Sequence, residues 1–272
     1  MRRRRLKFAI VTLVVVVGAA TGIAYATRKS EPPALPGQSR ARLIFNSDFV
    51  RTKLNPAVWS TCYPHMDFPS GCTNFGNGEY EWYLPSQVVL SHGVLDLVAK
   101  QLRTEGRAQN GAPKAYVCRS GMVTTYPGFR FKYGYVRIVA RLPNTEGLWS
   151  ALWMGASSLQ WPPEVDIIED WGRGVQPTGV FFHPFRGPVL YEYPSLGDLS
   201  VGWHTFAIDW TRTKLTWFID GKQILSTSKN VPQQPMYILA DLAYTSTNLA
   251  LIESGSGCHG TLAIKSIRVW QR

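Results

Sequence analysis

The chain has 272 residues, 45% hydrophobic and 17% charged, with a formal net charge of +11. Its length suits one β-sandwich or barrel domain with a short appendage. Five of the positive charges, Arg2, Arg3, Arg4, Arg5 and Lys7, crowd the first seven residues; the rest reads as a solvated surface, and with no nucleic-acid motif beside it nucleic acid is not expected as a partner.

Phe8 to Ala26 carries no charge and ends in Ala24-Tyr25-Ala26, an A-x-A cleavage pattern, so residues 1–26 are expected to be an export signal. The uncharged run also approaches the roughly 20 residues that span a bilayer, which makes a retained signal anchor the alternative. In both cases the arginines stay inside and the remainder is translocated, giving a protein that is secreted or held outside the membrane by residues 8–26. Residues 27–42, rich in Pro, charge and small polar side chains, read as a linker. The folded domain is expected over residues 43–272.

Four cysteines, Cys62, Cys72, Cys118 and Cys258, would meet an oxidising compartment, where an even count predicts two disulfides. Of three connectivities, Cys62 with Cys72 is the local pairing, which leaves Cys118 with Cys258. No C-x-x-C spacing points to zinc.

Along the domain, short runs of alternating apolar residues are punctuated by Gly, Pro and Asn, at 93–100, 135–143, 204–210 and 263–270. The plainest local pattern is 215–225, two strand-like runs joined by Asp220-Gly221, a dipeptide suited to a type I′ hairpin. Many strands without intervening helices predict an all-β antiparallel sandwich. With 10 Trp, 12 Tyr and 12 Phe, the domain carries more aromatic surface than its core requires, and some of it is expected to line a sugar site.

The segment Trp161-Pro-Pro-Glu164-Val-Asp166-Ile-Ile-Glu169-Asp170-Trp171 holds the candidate chemistry. On a strand, Glu164 and Asp166 share a face, with Val165 and Ile167 on the other. One extra residue as a β-bulge returns Glu169 to the face of Glu164 and Asp166. Like charges so close raise one another's pKa, an arrangement suited to holding a proton for chemistry. Glycoside cleavage needs such a pair, one carboxylate as nucleophile and one carboxylic acid to protonate the leaving oxygen. The alternative is a solvated acidic strand face, or one that holds a cation.

With its flanks the segment resembles glycoside hydrolase family 16, whose bulged, laminarinase-like branch carries Glu-x-Asp-x-x-Glu. The resemblance runs from about Leu43 to Gln271 and includes the 44–59, 76–83, 119–125, 131–154 and 202–224 stretches. It implies a two-sheet jelly roll with an open concave cleft that admits a polysaccharide along its length and so cuts internally. It implies Glu164 as nucleophile, Asp166 as its helper and Glu169 as general acid, then base. Asn77, Trp149, Trp153 and His183 fall on cleft positions; core packing is the competing role for each Trp. The implied substrate is a β-1,3 or mixed β-1,3/1,4 glucan. The alternatives are a galactan or exopolysaccharide, transglycosylation on the same site, and a non-catalytic glycan-binding module.

The chain departs from the family pattern at Arg137 and Val139, where Glu and Arg are usual, which puts any subsite contact there in doubt. Pro163 replaces a common glycine. Positions matching a structural calcium site read Asp48 and Lys265; the lysine argues against the ion, so no cofactor or metal is expected. A cleft enzyme of this kind is expected to work as a monomer.

Overall fold

A computed structural model describes residues 41–64, 66, 71–172, 177–246 and 248–272, all within the unit formed by residues 34–272. The predicted signal and nearly all of the predicted linker lie outside them. No helix among the described residues is long and apolar enough to cross a membrane.

The strands of the described residues, the alternating runs among them, are β1 Arg42–Ser47, β2 Glu81–Tyr83, β3 Val88–Ser91, β4 Val94–Arg107, β5 Pro113–Ser120, β6 Met122–Thr124, β7 Gly134–Arg141 and β8 Leu148–Ala156. They continue as β9 Glu164–Asp170, β10 Gly179–His183, β11 Leu190–Glu192, β12 His204–Trp210, β13 Leu215–Ile219, β14 Lys222–Thr227, β15 Met236–Tyr244 and β16 His259–Gln271, with one short helix, α1 Leu249–Ser254. A ten-stranded sheet runs β14-β13-β12-β7-β16-β4-β5-β2, with β1 on β16 and β3 on β4; a six-stranded sheet runs β11-β10-β9-β8-β15-β6. The pairing is antiparallel as expected, except that β2 lies parallel to β5.

Period-2 alternation sends one face of each sheet inward. Leu97, Ile138, Phe206 and Ile267 from the larger sheet meet Leu152, Val165, Phe182 and Ile238 from the smaller one, all essentially inaccessible. Burying each such side chain contributes about 1.5–3 kcal/mol. The β13–β14 turn has φ of 48° at Asp220 and 79° at Gly221, the left-handed pair of a type I′ hairpin that the dipeptide predicts.

All nine residues of β15 are buried, because a second apolar cluster covers the concave side of the smaller sheet at its β6–β15 end. Tyr63, Tyr83, Met122, Tyr237 and Leu239 build that cluster. Disulfides join Cys62 to Cys72 beside it and Cys118 on β5 to Cys258 just before β16. Among the described residues, the β11 end of the same face has no such cover.

The topology places the two positions at which the chain departs from the family pattern. Arg137 and Val139 lie on β7, between β12 and β16 in the ten-stranded sheet. The Arg137 guanidinium sits 5.2 Å from the Trp270 ring centroid, so the departure at these positions does not bear on the cleft.

Candidate active site

The cleft crosses the concave face of the six-stranded sheet, and β9 supplies its acids. Pairing between β8 and β9 runs Gly155↔Glu164 and Trp153↔Asp166, then shifts so that Leu152 faces Ile168 and Ala151 faces Glu169. Ile167 is the extra residue. Ile167 and Ile168 both enter the core at 0% exposure, and Glu169 returns to the cleft face, as a bulge requires. From the opposite sheet the buried Trp217 Nε1 donates to the Asp166 carbonyl at 2.9 Å, tying the bulged strand across the core.

On that face the half-buried Glu164 and Glu169 flank Asp166, which is 3% exposed. Trp149 Nε1 donates to Glu169 Oε1 at 3.0 Å, and the Trp149 ring stacks on Trp171 with centroids 3.9 Å apart. His183 Nε2 lies 3.7 Å from Glu164 Oε1 and 3.5 Å from Asp166 Oδ2. The exposed Trp161 hydrogen-bonds Glu164 from the cleft rim and tilts over His183 with centroids 5.7 Å apart. The Asp166 Oδ2 atom is buried without a hydrogen-bond partner, which favours a proton on that carboxyl.

Electrostatics separates the two glutamates. Burial pushes the Glu164 carboxyl up to about 7. Burial, reinforced by the charges of Glu164 and Asp241, pushes Glu169 up to about 8. Both carboxyls thus stand above the usual carboxylate range, and a proton can stay on one of the pair in the range near neutrality, as acid-assisted displacement needs. Asp166 is raised by burial and then by Glu164, Glu169 and Asp241, and burial lowers the His183 imidazole, which is therefore neutral in this range.

The structure brings Glu164, Asp166, Glu169, Asn77, Trp149, Trp153 and His183 to one cleft of about 560 Å³ and the recess beneath it. Sequence reasoning missed a second set of acids under that floor. Asp241 accepts from Trp153 Nε1 at 2.7 Å, and the Tyr83 hydroxyl lies 3.4 Å from Asp241 Oδ2 and 3.2 Å from Glu79 Oε2. Asn77 Nδ2 donates to Glu79 Oε1 at 3.3 Å, which ties the 74–77 turn to the same group. Glu81 accepts from Thr73 Oγ1 at 3.0 Å and from the Tyr244 amide at 2.7 Å. A recess of about 30 Å³, room for a water molecule, lies between Glu79, Asp241 and the acids of β9. Their sequence signal is slight: Asp241 is the lone charge in MYILADLAY, and Glu79 precedes β2 while Glu81 opens it.

This geometry predicts a bell-shaped kcat/KM profile whose two limbs belong to the coupled pair and lie above the usual carboxylate range. Asp241→Asn keeps the acceptor for Trp153 and removes a negative charge near Glu169. Glu169 then ionises more easily, so the alkaline limb is expected to move to lower pH; an unmoved limb would show that Asp241 does not act on the acid.

The group that best fits a cation among the described residues is Glu164, Asp166 and His183, whose ligating atoms lie within 4.8 Å of one another. It coincides with the acid face itself.

A β-sandwich whose concave face sets paired carboxylates among tryptophans defines a carbohydrate-cleaving class of protein. Residues 79–250 match glycosyl hydrolases family 16, and the chain belongs to that family. It is 30% identical over 187 residues to the endo-1,3-1,4-beta-glycanase ExsH of Rhizobium meliloti, covering 64% of this chain and 39% of that protein. To EglC, an endo-1,3-1,4-beta-glycanase of the same organism, it is 28% identical over 214 residues, covering 73% and 45%. The chain thus spans less than half the length of these two relatives. Among solved structures, the laminarinase catalytic domain from Thermotoga maritima superposes with a TM-score of 0.69 at 24% identity, covering 85% of this chain and 98% of that one. That likeness carries the fold.

Proposed function

We propose that the protein is an exported, retaining endo-glycoside hydrolase that cleaves internal β-1,3 or mixed β-1,3/1,4 linkages of a glucan. The observation that carries this is the bulge at Ile167, which returns Glu169 to the cleft face beside Glu164 and Asp166, under the Trp149 indole. The activities for which ExsH and EglC are named favour a β-glucan over other polymers. Two disulfides fit an oxidising compartment outside the cytoplasm.

In the first step a Glu164 oxygen attacks the anomeric carbon, the glycosidic C–O bond breaks, and the Glu169 proton goes to the leaving oxygen. In the second, the Glu169 carboxylate takes a proton from water as the water oxygen bonds to the same carbon, and Glu164 departs as a carboxylate. Asp166, protonated and buried, hydrogen-bonds the nucleophile. His183, neutral, offers one N–H to the bound sugar.

The test is reducing-sugar release and product length on laminarin, lichenan, agarose and xyloglucan. Short oligosaccharides from laminarin or lichenan are expected. Cleavage of agarose alone replaces the glucan reading with a galactan one, products longer than the substrate identify a transglycosylase, and binding without release leaves a glycan-binding module.

No metal is required in this proposal. Asp48 and Lys265 are both exposed, and the Lys265 ammonium sits 5.7 Å from the Trp203 ring centroid, so these residues do not fit a calcium site: a second cation there would be repelled. EDTA is expected to leave Tm unchanged, and a drop of several degrees would overturn the expectation.

A further inference from the structure

We propose that Phe181, Tyr191 and Tyr193 form an aromatic platform that extends the cleft past the acids and binds a further sugar of the polysaccharide at the β11 edge. The inference rests on the hydrolase reading above and adds where the chain runs. Phe181 pairs with Asp166 on one side and Tyr191 on the other. Directly paired residues share a face of a sheet, so Tyr191 faces the same side as the acids, and Tyr193, two residues on, follows it. The rings form a closed trio, with centroids 6.2 Å apart for Phe181–Tyr191, 5.7 Å for Phe181–Tyr193 and 5.1 Å for Tyr191–Tyr193.

Gly179 makes room for them. It pairs with Glu169, and a Cβ there would lie 2.8 Å from Tyr193 Cδ1 and 2.9 Å from Phe181 Cζ. The rings therefore approach bare backbone directly beside the acid. Phe181 lines the cleft itself. The two tyrosines are 53% and 39% exposed, too open for a core role; Tyr191 lies on an edge strand and Tyr193 just past its end, where bare aromatic surface is a liability unless it is used.

The opposite end of the concave face is covered by the Tyr63 and Tyr83 cluster, so the β11 edge is the open side toward which a polymer can continue. Three uncharged rings with two phenolic hydroxyls suit a neutral pyranose: C–H faces stack on the rings, and sugar hydroxyls reach the phenols. β11 lies two strand spacings, roughly 10 Å, from β9. The platform thus meets a sugar outside the reacting position.

Dependence on chain length follows from that distance. The test compares the parent chain, Tyr191→Ala with Tyr193→Ala, and Tyr191→Phe with Tyr193→Phe. Substrates are the polymer that the parent cleaves and its oligosaccharides of increasing length, with Tm as the check on folding. For the alanine pair, kcat/KM on polymer and long oligosaccharides should fall about tenfold through KM. The shortest cleaved oligosaccharide should be unaffected, and the phenylalanine pair should recover most of the loss. No loss, or equal loss at every length, would overturn the platform while leaving the hydrolase reading intact. Release from no polymer by the parent chain would instead overturn that reading, and the platform with it.

Discussion

Glu164→Ala is expected to lower kcat roughly 10⁴-fold or more, because it removes the atom that bonds to the anomeric carbon. Glu169→Ala is expected to cost about 10²- to 10⁴-fold, the usual range for a lost general acid, and less on an aryl glycoside whose leaving group needs no proton. Azide separates the two roles. In Glu164→Ala it can enter from the face that the carboxylate held and displace the leaving group once, giving a glycosyl azide of inverted configuration. In Glu169→Ala the glycosyl ester on Glu164 still forms, and azide attacks it from the other face, so the product keeps the substrate's configuration. Product analysis by nuclear magnetic resonance reads the difference, and the opposite pattern would exchange the two assignments. Burial raises both carboxyls, and the charges of Glu164 and Asp241 add to it at Glu169, which favours Glu169 as the group that holds the proton.

The largest loss of stability is expected from Cys118→Ala with Cys258→Ala. This bridge closes a separation of 140 residues, and cross-linking so long a segment restrains the unfolded chain by about 4–5 kcal/mol on the chain-entropy scale. Alanine is the better replacement because both positions are 0% exposed and serine would bury a hydroxyl. In a domain of this size each kcal/mol is worth about 2–4 °C, so a calorimetric Tm roughly 10–20 °C lower is expected. A shift of under about 3 °C would mean that the bridge does not constrain the unfolded state. The Cys62–Cys72 bridge, with a separation of 10, should contribute less to stability.

Part of the site is legible without coordinates because strand chemistry is local. Glu164 and Asp166 alternate with Val165, which predicts their common face, and the two isoleucines before Glu169 allow a bulge without exposing either. Asp220-Gly221 specifies its own turn. Asp241 is not legible in the same way: nothing nearby in the chain says that β15 pairs with β8 or that Trp153 will donate to that carboxylate. Glu79 and Glu81 escape notice because acids two apart look the same in sequence whether solvated or buried. A cleft contact by Arg137 stayed in doubt because a strand's period shows that it has two faces and leaves open which sheet it joins.

The amino-acid order by itself determined several strands, the hairpin and the acidic face of β9, each from residues within a few positions of one another, and the family from motifs spread along the domain. Tertiary structure alone decided which acids share one buried recess, since desolvation and charge act through space. It also decided which end of the concave face is covered, and that Gly179 sets two tyrosines beside Glu169. These are contacts between segments far apart in the chain, created only when the two sheets close on their core.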